Sequence, residues 1–309
     1  MNTPPLQFKP LSFSWVALHP NPKGIVRFIG GAFFGSFPIL FYRDLLNHLY
    51  QEGYTLIAMP FRFSFRHWAI AAGLFSEQRQ LRAVLIDEAQ HLGYETEVYE
   101  KDENYIWVGH SLGCKYIALL EFLSDPNRDS ILQTVLGQES RKNAIQSLAQ
   151  TALPAKISIQ DQASLLIAPD ISDTESAIPI PAIARLLDRL KLGVLPTRKQ
   201  TQALIEQSDL FNLTGLISFD QDDIAGNIAH PDMGRHPGEE SDVNWFLTLI
   251  RRKPEPVLAQ ELPGKHLEPL GIKVGRFVFN PFRRPIFSAD QRPVNIIVLT
   301  FIQKLLFRP

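Results

Sequence analysis

The segment Gly109-His110-Ser111-Leu112-Gly113 places a serine between two glycines at the spacing G-x-S-x-G. It follows Tyr105–Val108, a short β-branched and aromatic run, and precedes an apolar stretch of helical character. A serine on a sharp strand-to-helix turn needs small residues two positions away on both sides, because larger ones would block the turn. The pattern therefore predicts a nucleophilic Ser111 above a sheet edge, with the dipole of the next helix directed at a developing oxyanion.

The base that Ser111 requires is predicted to be His266. A serine hydroxyl is a weak nucleophile until a base takes its proton, and that base must be oriented by a carboxylate, in the chain order serine, acid, histidine. Of the eight histidines, His266 is best placed, because it follows the predicted strand Val257–Leu262 through a Pro-Gly loop. A loop at a strand end can carry an imidazole over the sheet edge.

The orienting acid is expected after the predicted strand Leu213–Phe219, where three carboxylates compete. Asp222 is preferred, because it follows a short turn and the apolar Ile224 two positions later can anchor its loop. Asp223 is the second choice for the acid and Asp220 the third.

A second loop is predicted to supply donors for the oxyanion. Gly30-Gly31-Ala32-Phe33-Phe34-Gly35 follows the predicted strand Gly24–Ile29, and its glycines allow close approach of the backbone to a substrate. One donor is the backbone N–H of Leu112, directly after the serine. The other is assigned to Ala32, with Phe33 as the second choice.

An aromatic segment, Pro60–Trp68, follows another predicted strand at the edge where ligands bind in parallel sheets. Its aromatic side chains are expected to line an acyl pocket and an arginine to hold an anionic head group. The competing interpretation is a packed loop with solvated arginines. The residues assigned to substrate binding are Phe34, Phe61, Arg62 and Phe65.

Strand-like and helix-like segments alternate along the chain. Short apolar runs bounded by glycine or proline indicate strands, and longer amphipathic runs indicate helices. Strict alternation predicts an α/β fold with a mostly parallel central sheet and helices on both faces. The predicted strands are Trp15–Leu18, Gly24–Ile29, Tyr54–Met59, Tyr105–Val108, Ser164–Ala168, Leu213–Phe219 and Val257–Leu262. The predicted helices are Pro38–Gln51, His67–Leu92, Leu112–Leu123 and Ser241–Arg252.

The alternation is interrupted between residues 170 and 212 by a polar, proline-containing loop and two amphipathic stretches, Ile183–Leu192 and Lys199–Ser208. This segment is too short to bury a core of its own, and the sheet pattern resumes after it. We therefore expect a single domain over residues 1–309 with an inserted helical cap at 170–212.

Composition limits the possible partners and cofactors. The chain has 309 residues, 45% of them hydrophobic, and 31 Lys+Arg against 32 Asp+Glu give a formal charge of -1. Without clustered basic residues, nucleic acid is not an expected partner. The single cysteine, Cys114, excludes an internal disulfide and a thiolate zinc site, and is expected to be buried and inert. No metal and no cofactor is expected.

The ends of the chain show no membrane or secretion signal. The N-terminal residues lack a signal-peptide pattern, and the apolar run Val294–Phe301 is shorter than a membrane span. We expect a cytoplasmic protein, or one of the plastid stroma if the source is a plant. The basic runs Arg251-Arg252-Lys253 and Arg283-Arg284 are expected to be solvated. Weak contact with anionic lipid, helped by the amphipathic tail Asn295–Phe307, is the alternative.

The segment Phe28–Phe33, the G-x-S-x-G motif and the loop Gly264-Lys265-His266 resemble the α/β-hydrolase superfamily. More closely, the chain resembles a family of unknown function that occurs in cyanobacteria and plant plastids and belongs to that superfamily. The resemblance implies an α/β-hydrolase fold and the roles of nucleophile, acid and base for Ser111, Asp222 and His266. It implies no substrate. Many superfamily members have His-Gly where this chain has Gly30-Gly31, a departure that bears on the oxyanion donor.

Two functions are compatible with these residues. The first is a serine hydrolase of the esterase, lipase or thioesterase type, which would cleave a small-molecule acyl ester or thioester with a Ser-Asp-His triad. The second is a non-catalytic protein of the same fold that binds a lipid, a pigment or a protein in a cap-covered cleft. The sequence does not set the oligomeric state.

Overall fold

Eight strands form one central sheet. The computed structural model describes residues 4–149, 158–171, 193–209, 211, 213–232, 234, 239–252, 257–275, 277–282, 287–288 and 292–307. The strands are β1 (Lys9–Leu11), β2 (Ser14–Ala17), β3 (Gly24–Ile29), β4 (Tyr54–Ala58), β5 (Tyr105–His110), β6 (Ala163–Ile167), β7 (Thr214–Phe219) and β8 (Leu258–Leu262). Their order is β1-β2-β4-β3-β5-β6-β7-β8. Strands β3 to β8 run parallel, whereas β2 is antiparallel to β4 and β1 is antiparallel to β2.

Helices follow the strands in the order that the sequence predicts. The described α-helices are α1 (Pro38–Phe41), α2 (Arg43–Gln51), α3 (His67–His91), α4 (Leu112–Ser124), α5 (Arg128–Val135), α6 (Gln138–Ala149), α7 (Arg198–Glu206), α8 (Asp242–Arg251) and α9 (Pro293–Leu306). Helix α4 ends before Asp125-Pro126, where proline disfavours helical geometry in the preceding residue. The predicted mostly parallel α/β architecture is confirmed.

Helices cover both faces of the sheet. Gly109 and Gly215 pair with adjacent residues of β6, so they face opposite sides because side chains alternate along a strand. A Cβ atom at Gly109 would meet Ile117 of α4, and one at Gly215 would meet Phe301 of α9. Strands β3 to β7 are buried along their whole length, as expected for parallel strands between two helical layers.

One predicted helix is two helices in the structure. The segment Pro38–Gln51 breaks at Tyr42, which leaves helical geometry at φ -110° and ψ 19°. The ring of Tyr42 is fully buried and packs on Phe28, with ring centroids 4.6 Å apart. Its hydroxyl enters the polar network beside Ser111, which helical spacing alone does not reveal.

A small antiparallel sheet follows β8 and was not predicted. Its strands are β9 (Ile272–Val274), β10 (Phe277–Phe279) and β11 (Phe287–Ser288). Strands of two or three residues are too short to show an alternating pattern. Next to β9, the N–H of Gly271 donates to Phe41 O at 2.7 Å, and the N–H of Asp44 donates to Gly271 O at 3.0 Å. These bonds attach the chain after His266 to α1 and α2.

The amphipathic tail is part of the core. Helix α9 buries Val298, Phe301 and Ile302 and packs against β5 to β8. The weak lipid contact that was given as the alternative stays a prediction. In the described part of the chain, no helix is long and apolar enough to cross a membrane.

Part of the predicted cap lies within the described residues. The stretch Lys199–Ser208 corresponds to α7, whereas Ile183–Leu192 lies outside the described residues. Buried Arg198 donates from Nε to Asp242 Oδ1 at 2.6 Å, which fastens α7 to α8. Buried Lys115 of α4 donates from Nζ to Pro196 O at 2.8 Å. These bonds hold residues 193–209 against α4, which begins directly after Ser111, and against α8.

Candidate active site

Ser111 lies between β5 and α4 at the carboxyl edge of the sheet. Its backbone has φ 54° and ψ -124°, a conformation that costs a non-glycine residue roughly 1–3 kcal/mol. The N–H of Ser111 donates to Ile167 O at 3.0 Å, and the N–H of Cys114 donates to Ser111 O at 2.9 Å. The neighbouring strand and the first turn of α4 thus hold the serine in this strained geometry.

The two glycines of the motif allow the turn to pack. A Cβ atom at Gly109 would lie 2.7 Å from Ile117 Cδ1 and 3.0 Å from the backbone N of Cys114. A Cβ atom at Gly113 would overlap Ile29 O, which belongs to the last residue of β3. The spacing G-x-S-x-G is therefore a packing requirement between α4 and the strands on which it rests.

We expect Gly113→Ala to lower the free energy of unfolding by about 1–3 kcal/mol or more, because the added methyl group meets rigid backbone. Gly73→Ala in α3 is the matched control: its Cβ atom has nothing within 4 Å. In a helix interior this control should gain about 0.5–1 kcal/mol, since glycine loses more backbone entropy than alanine. Urea denaturation measures both values. A Gly113→Ala protein as stable as the parent would contradict the packing argument.

The structure brings Ser111, His266 and Asp222 together. His266 Nε2 lies 2.7 Å from Ser111 Oγ, and His266 Nδ1 lies 2.8 Å from Asp222 Oδ2. Because a carboxylate only accepts hydrogen bonds, Nδ1 carries the proton and Nε2 is left as the acceptor for the serine hydroxyl. The exposed fractions are 6% for Ser111, 4% for His266 and 0% for Asp222. This arrangement can take a proton from Ser111.

The carboxylate of Asp222 is fixed by its own turn. Its Oδ1 accepts from the backbone N–H groups of Ile224 at 2.9 Å and Ala225 at 3.0 Å. Its Oδ2 is then directed at His266. The side chain of Ile224 was expected to anchor this loop, which stays a prediction; its backbone N–H helps to orient the acid.

The two competing carboxylates lie elsewhere. Asp220 accepts from the backbone N–H of Gly264 at 2.8 Å, so it tethers the loop that carries the histidine. The side chain of Asp223 is exposed. Asp222 is thus the one of these three aspartates that contacts His266.

The proposed oxyanion donors line the same cavity as Ser111. Among the described residues, no hydrogen-bond acceptor is paired with the backbone N–H of Ala32, Phe33 or Leu112. The N–H of Gly31 is already used, because it donates to Tyr42 Oη at 2.8 Å. Both Ala32 and Phe33 remain compatible with the second donor position, and the preference for Ala32 stays a prediction.

A mostly apolar cavity of about 200 Å³ opens at Ser111. The rings of Phe33 and Phe63 stack in its wall with centroids 4.5 Å apart. Phe34 packs edge-on against Phe282, with centroids 5.4 Å apart. The lining residues are Gly31, Ala32, Phe33, Phe34, Phe63, His67, His110, Ser111, Leu112, Asp170, Ile224, His266 and Leu267.

Of the residues assigned to substrate binding, Phe34 lines this cavity. Phe61 and Arg62 line a separate cavity of about 400 Å³ on α3, and the ring of Phe65 packs on Phe63 at 5.7 Å. The strand order explains the difference. The oxyanion loop follows β3, and Ser111 follows β5. Because β3 lies between β4 and β5, the oxyanion loop separates the residues directly after β4 from Ser111. Phe61 and Arg62 are therefore not placed to contact a substrate at Ser111.

Several cavity residues were not predicted. Asp170 follows β6, and the rule that ligands bind at the carboxyl ends of parallel strands was a signal that it would lie near the site. His67, at the first position of α3, lies in the segment Pro60–Trp68 that the same rule placed near the site, but it was not among the residues assigned to substrate binding. His110 is part of the G-x-S-x-G motif, but the motif itself assigns no role to that position. In the described part of the chain, no three His, Cys, Asp or Glu side chains are grouped to hold a metal ion.

Cys114 is fully buried, and burial raises the pKa of its thiol well above the ordinary value. The reactive thiolate is therefore scarce at neutral pH. We expect the folded protein to resist a disulfide reagent such as Ellman's reagent at mildly alkaline pH, and the urea-unfolded protein to react with one equivalent. Full reaction of the folded protein within minutes would contradict this prediction.

A family model described as "Protein of unknown function (DUF1350)" matches residues 7–284. No curated protein matches the chain. Among solved structures, the chain is similar to Thermogutta terrifontis esterase 2 phosphonylated by sarin, with 13% identity and a TM-score of 0.50, covering 96% of this chain and 91% of that chain. The butyrate-bound form of that esterase has 14% identity and a TM-score of 0.48, and the match covers 97% of this chain and 91% of that chain. The esterase domain of a Rhodothermus marinus protein has 12% identity, a TM-score of 0.39 and coverages of 82% and 83%.

At these identities the likeness bears on the fold alone. The central parallel sheet between helical layers, together with the match to Thermogutta terrifontis esterase 2, gives this chain an α/β-hydrolase fold.

Proposed function

The chain belongs to the family of unknown function whose model it matches, and we propose that it is a serine hydrolase that cleaves ester or thioester bonds. One observation carries the proposal: a continuous hydrogen-bonded series runs from Ser111 through His266 to Asp222 beside an apolar cavity. The fold by itself is not sufficient, because one fold can host many functions. We also infer that the family is the cyanobacterial and plastid one that the sequence resembles.

In the proposed first step, Ser111 Oγ attacks the acyl carbonyl carbon while His266 Nε2 takes the hydroxyl proton. Asp222 keeps the other imidazole proton on Nδ1 and stabilises the imidazolium that forms. The backbone N–H of Leu112 and that of Ala32 or Phe33 donate to the oxyanion. Both donors are backbone N–H groups, so they need not move when negative charge develops on the carbonyl oxygen of the substrate.

The tetrahedral intermediate then collapses. The bond to the leaving oxygen or sulfur breaks, and the leaving group takes the proton from His266 Nε2. An acyl ester on Ser111 remains. A water molecule, deprotonated by His266, attacks this ester and releases the carboxylic acid, and the proton returns to Ser111 Oγ. Serine, imidazole and water account for every bond and proton in the cycle.

The cavity indicates the kind of acyl group. Its walls are aromatic and aliphatic, and its volume of about 200 Å³ lies below the roughly 300–1,000 Å³ of typical small-molecule sites. We infer that the substrate is a small ester or thioester with a short, uncharged acyl group. The inserted cap at 170–212 is proposed to cover this site. The supporting observation is that the backbone of Leu195 is hydrogen-bonded to the backbone of Phe65 and of Trp68 near the cavity.

A chain-length screen tests the proposal. The purified protein is incubated with p-nitrophenyl esters from acetate to palmitate and with the matching acyl-coenzyme A thioesters. We expect turnover with short acyl chains, falling as the chain lengthens, and only background hydrolysis with Ser111→Ala. No turnover above that background for any member would overturn the proposal. Retention of a bound lipid or pigment by both proteins would then favour the non-catalytic alternative.

A further inference from the structure

A second buried hydrogen-bond series lies next to the Ser111–His266 pair. The backbone N–H of Gly31 donates to Tyr42 Oη at 2.8 Å, and Tyr42 Oη lies 2.8 Å from His110 Nδ1. His110 Nε2 lies 2.8 Å from the backbone oxygen of His266. The side chains of Tyr42 and His110 are fully buried. The series therefore connects the oxyanion loop to the backbone of the histidine that contacts Ser111.

The direction of each hydrogen bond follows from the groups at the two ends. An amide N–H can only donate and a carbonyl oxygen can only accept. Tyr42 Oη therefore accepts from Gly31 and gives its single proton to His110 Nδ1. His110 is then the Nε2–H tautomer, which donates to the carbonyl of His266. Burial and the nearby His266 lower the pKa of His110 to about 3, which keeps the ring neutral as this series requires.

Both ends of the series adjoin groups with roles in the proposed reaction. Gly31 precedes Ala32, the preferred oxyanion donor, and His266 is the proposed base. His110 itself precedes Ser111 in the chain. Burying a tyrosine hydroxyl and an imidazole is costly unless their polar atoms are paired, and here the hydroxyl and both ring nitrogens have partners. Apolar packing would not fix the distance between the two loops in this way.

We propose that Tyr42 and His110 are positioning residues that hold the oxyanion loop and the loop of His266 in register with Ser111. This inference rests on the proposed hydrolase function. Neither side chain is assigned a contact with a reacting atom, although His110 lines the cavity at Ser111. They act through the backbone of Gly31 and of His266, so their loss should slow the chemical step more than it weakens substrate binding.

Steady-state kinetics with p-nitrophenyl butyrate test the proposal. We expect Tyr42→Phe to lower kcat by about 10- to 100-fold with KM changed by less than about threefold, because small displacements of catalytic groups have effects of that size. The matched control is Tyr116→Phe. Tyr116 is also a buried tyrosine, but its hydroxyl has no hydrogen-bond partner among the described residues, so kcat should not change.

Two further variants separate positioning from a general loss of packing. His110→Asn keeps an oxygen near the place of Nδ1 for Tyr42, so it should retain more activity than His110→Ala at a similar melting temperature. The double variant Tyr42→Phe/His110→Asn should lose little more than the larger single effect, because both changes break one connected series. Equal kcat for parent and Tyr42→Phe, or an equal fall for Tyr116→Phe, would overturn the proposal while the hydrolase function stands.

Nitrogen-15 NMR of the parent protein gives a readout that needs no activity. We expect His110 to remain neutral between mildly acidic and mildly alkaline pH, with its proton on Nε2. A proton on Nδ1, or a titration of this ring near neutrality, would contradict the series. If the parent hydrolysed no ester but showed the Nε2–H tautomer, the proposed function would fail while the hydrogen-bond series would stand.

Discussion

Replacement of Ser111 by alanine is expected to reduce ester hydrolysis by roughly 10⁴- to 10⁶-fold, the range in which loss of an activated serine falls. The physical reason is that Ser111 Oγ lies 2.7 Å from His266 Nε2, so the hydroxyl can attack the acyl carbonyl while the imidazole takes its proton. Alanine keeps the Cβ atom that the strained turn already accommodates. The melting temperature should therefore change by only a few degrees. Initial rates at high enzyme concentration measure the residual activity.

Ser130→Ala is the control for this substitution. Ser130 lies on the exposed side of α5, away from the cavity, and its replacement should leave the rate unchanged. If Ser111→Ala retained activity within about tenfold of the parent, another group would be the nucleophile and the proposed mechanism would be wrong.

Replacement of Asp222 by asparagine should lower kcat by about 10⁴-fold. The amide group would donate a hydrogen bond to His266 Nδ1, so the imidazole proton would move to Nε2 and no acceptor would face Ser111. Because Asp222 is fully buried, water does not replace the carboxylate as the acceptor for the proton on His266 Nδ1. The fall should appear in kcat, because substrate contacts in the cavity are untouched.

Asp223→Asn makes the same change of charge one residue along the chain. Since the side chain of Asp223 is exposed, the rate should stay within about twofold of the parent, as for most surface substitutions. The opposite ranking, with Asp223→Asn impaired and Asp222→Asn active, would contradict the assignment of the acid.

The central residues of the site follow from local patterns. A strand, a small-residue turn and a helix indicate Ser111, and a loop after a later strand indicates His266. Both depend on short stretches of sequence and on the rule that parallel strands end at one sheet edge. The preference for Asp222 over its neighbours rested on a turn, and in the structure that turn holds the carboxylate with two backbone N–H groups.

Other features depend on tertiary structure that no local pattern contains. Phe61 and Arg62 follow a strand end, as expected of binding residues, but the strand order β4-β3-β5 places the oxyanion loop between them and Ser111. The hydroxyl of Tyr42 reaches His110, 68 positions later in the chain, at a break in a helix that helical spacing predicts to be continuous. Contacts over such separations are set by the packing of whole elements.

Labelling with a fluorophosphonate probe tests the central claim most directly, that Ser111 is an activated nucleophile. The folded protein is incubated with the probe, its intact mass is measured, and the modified peptide is identified by fragmentation. We predict one adduct on Ser111, and none on Ser111→Ala. A folded parent protein that stays unlabelled, or a Ser111→Ala protein that is labelled equally well, would contradict the account.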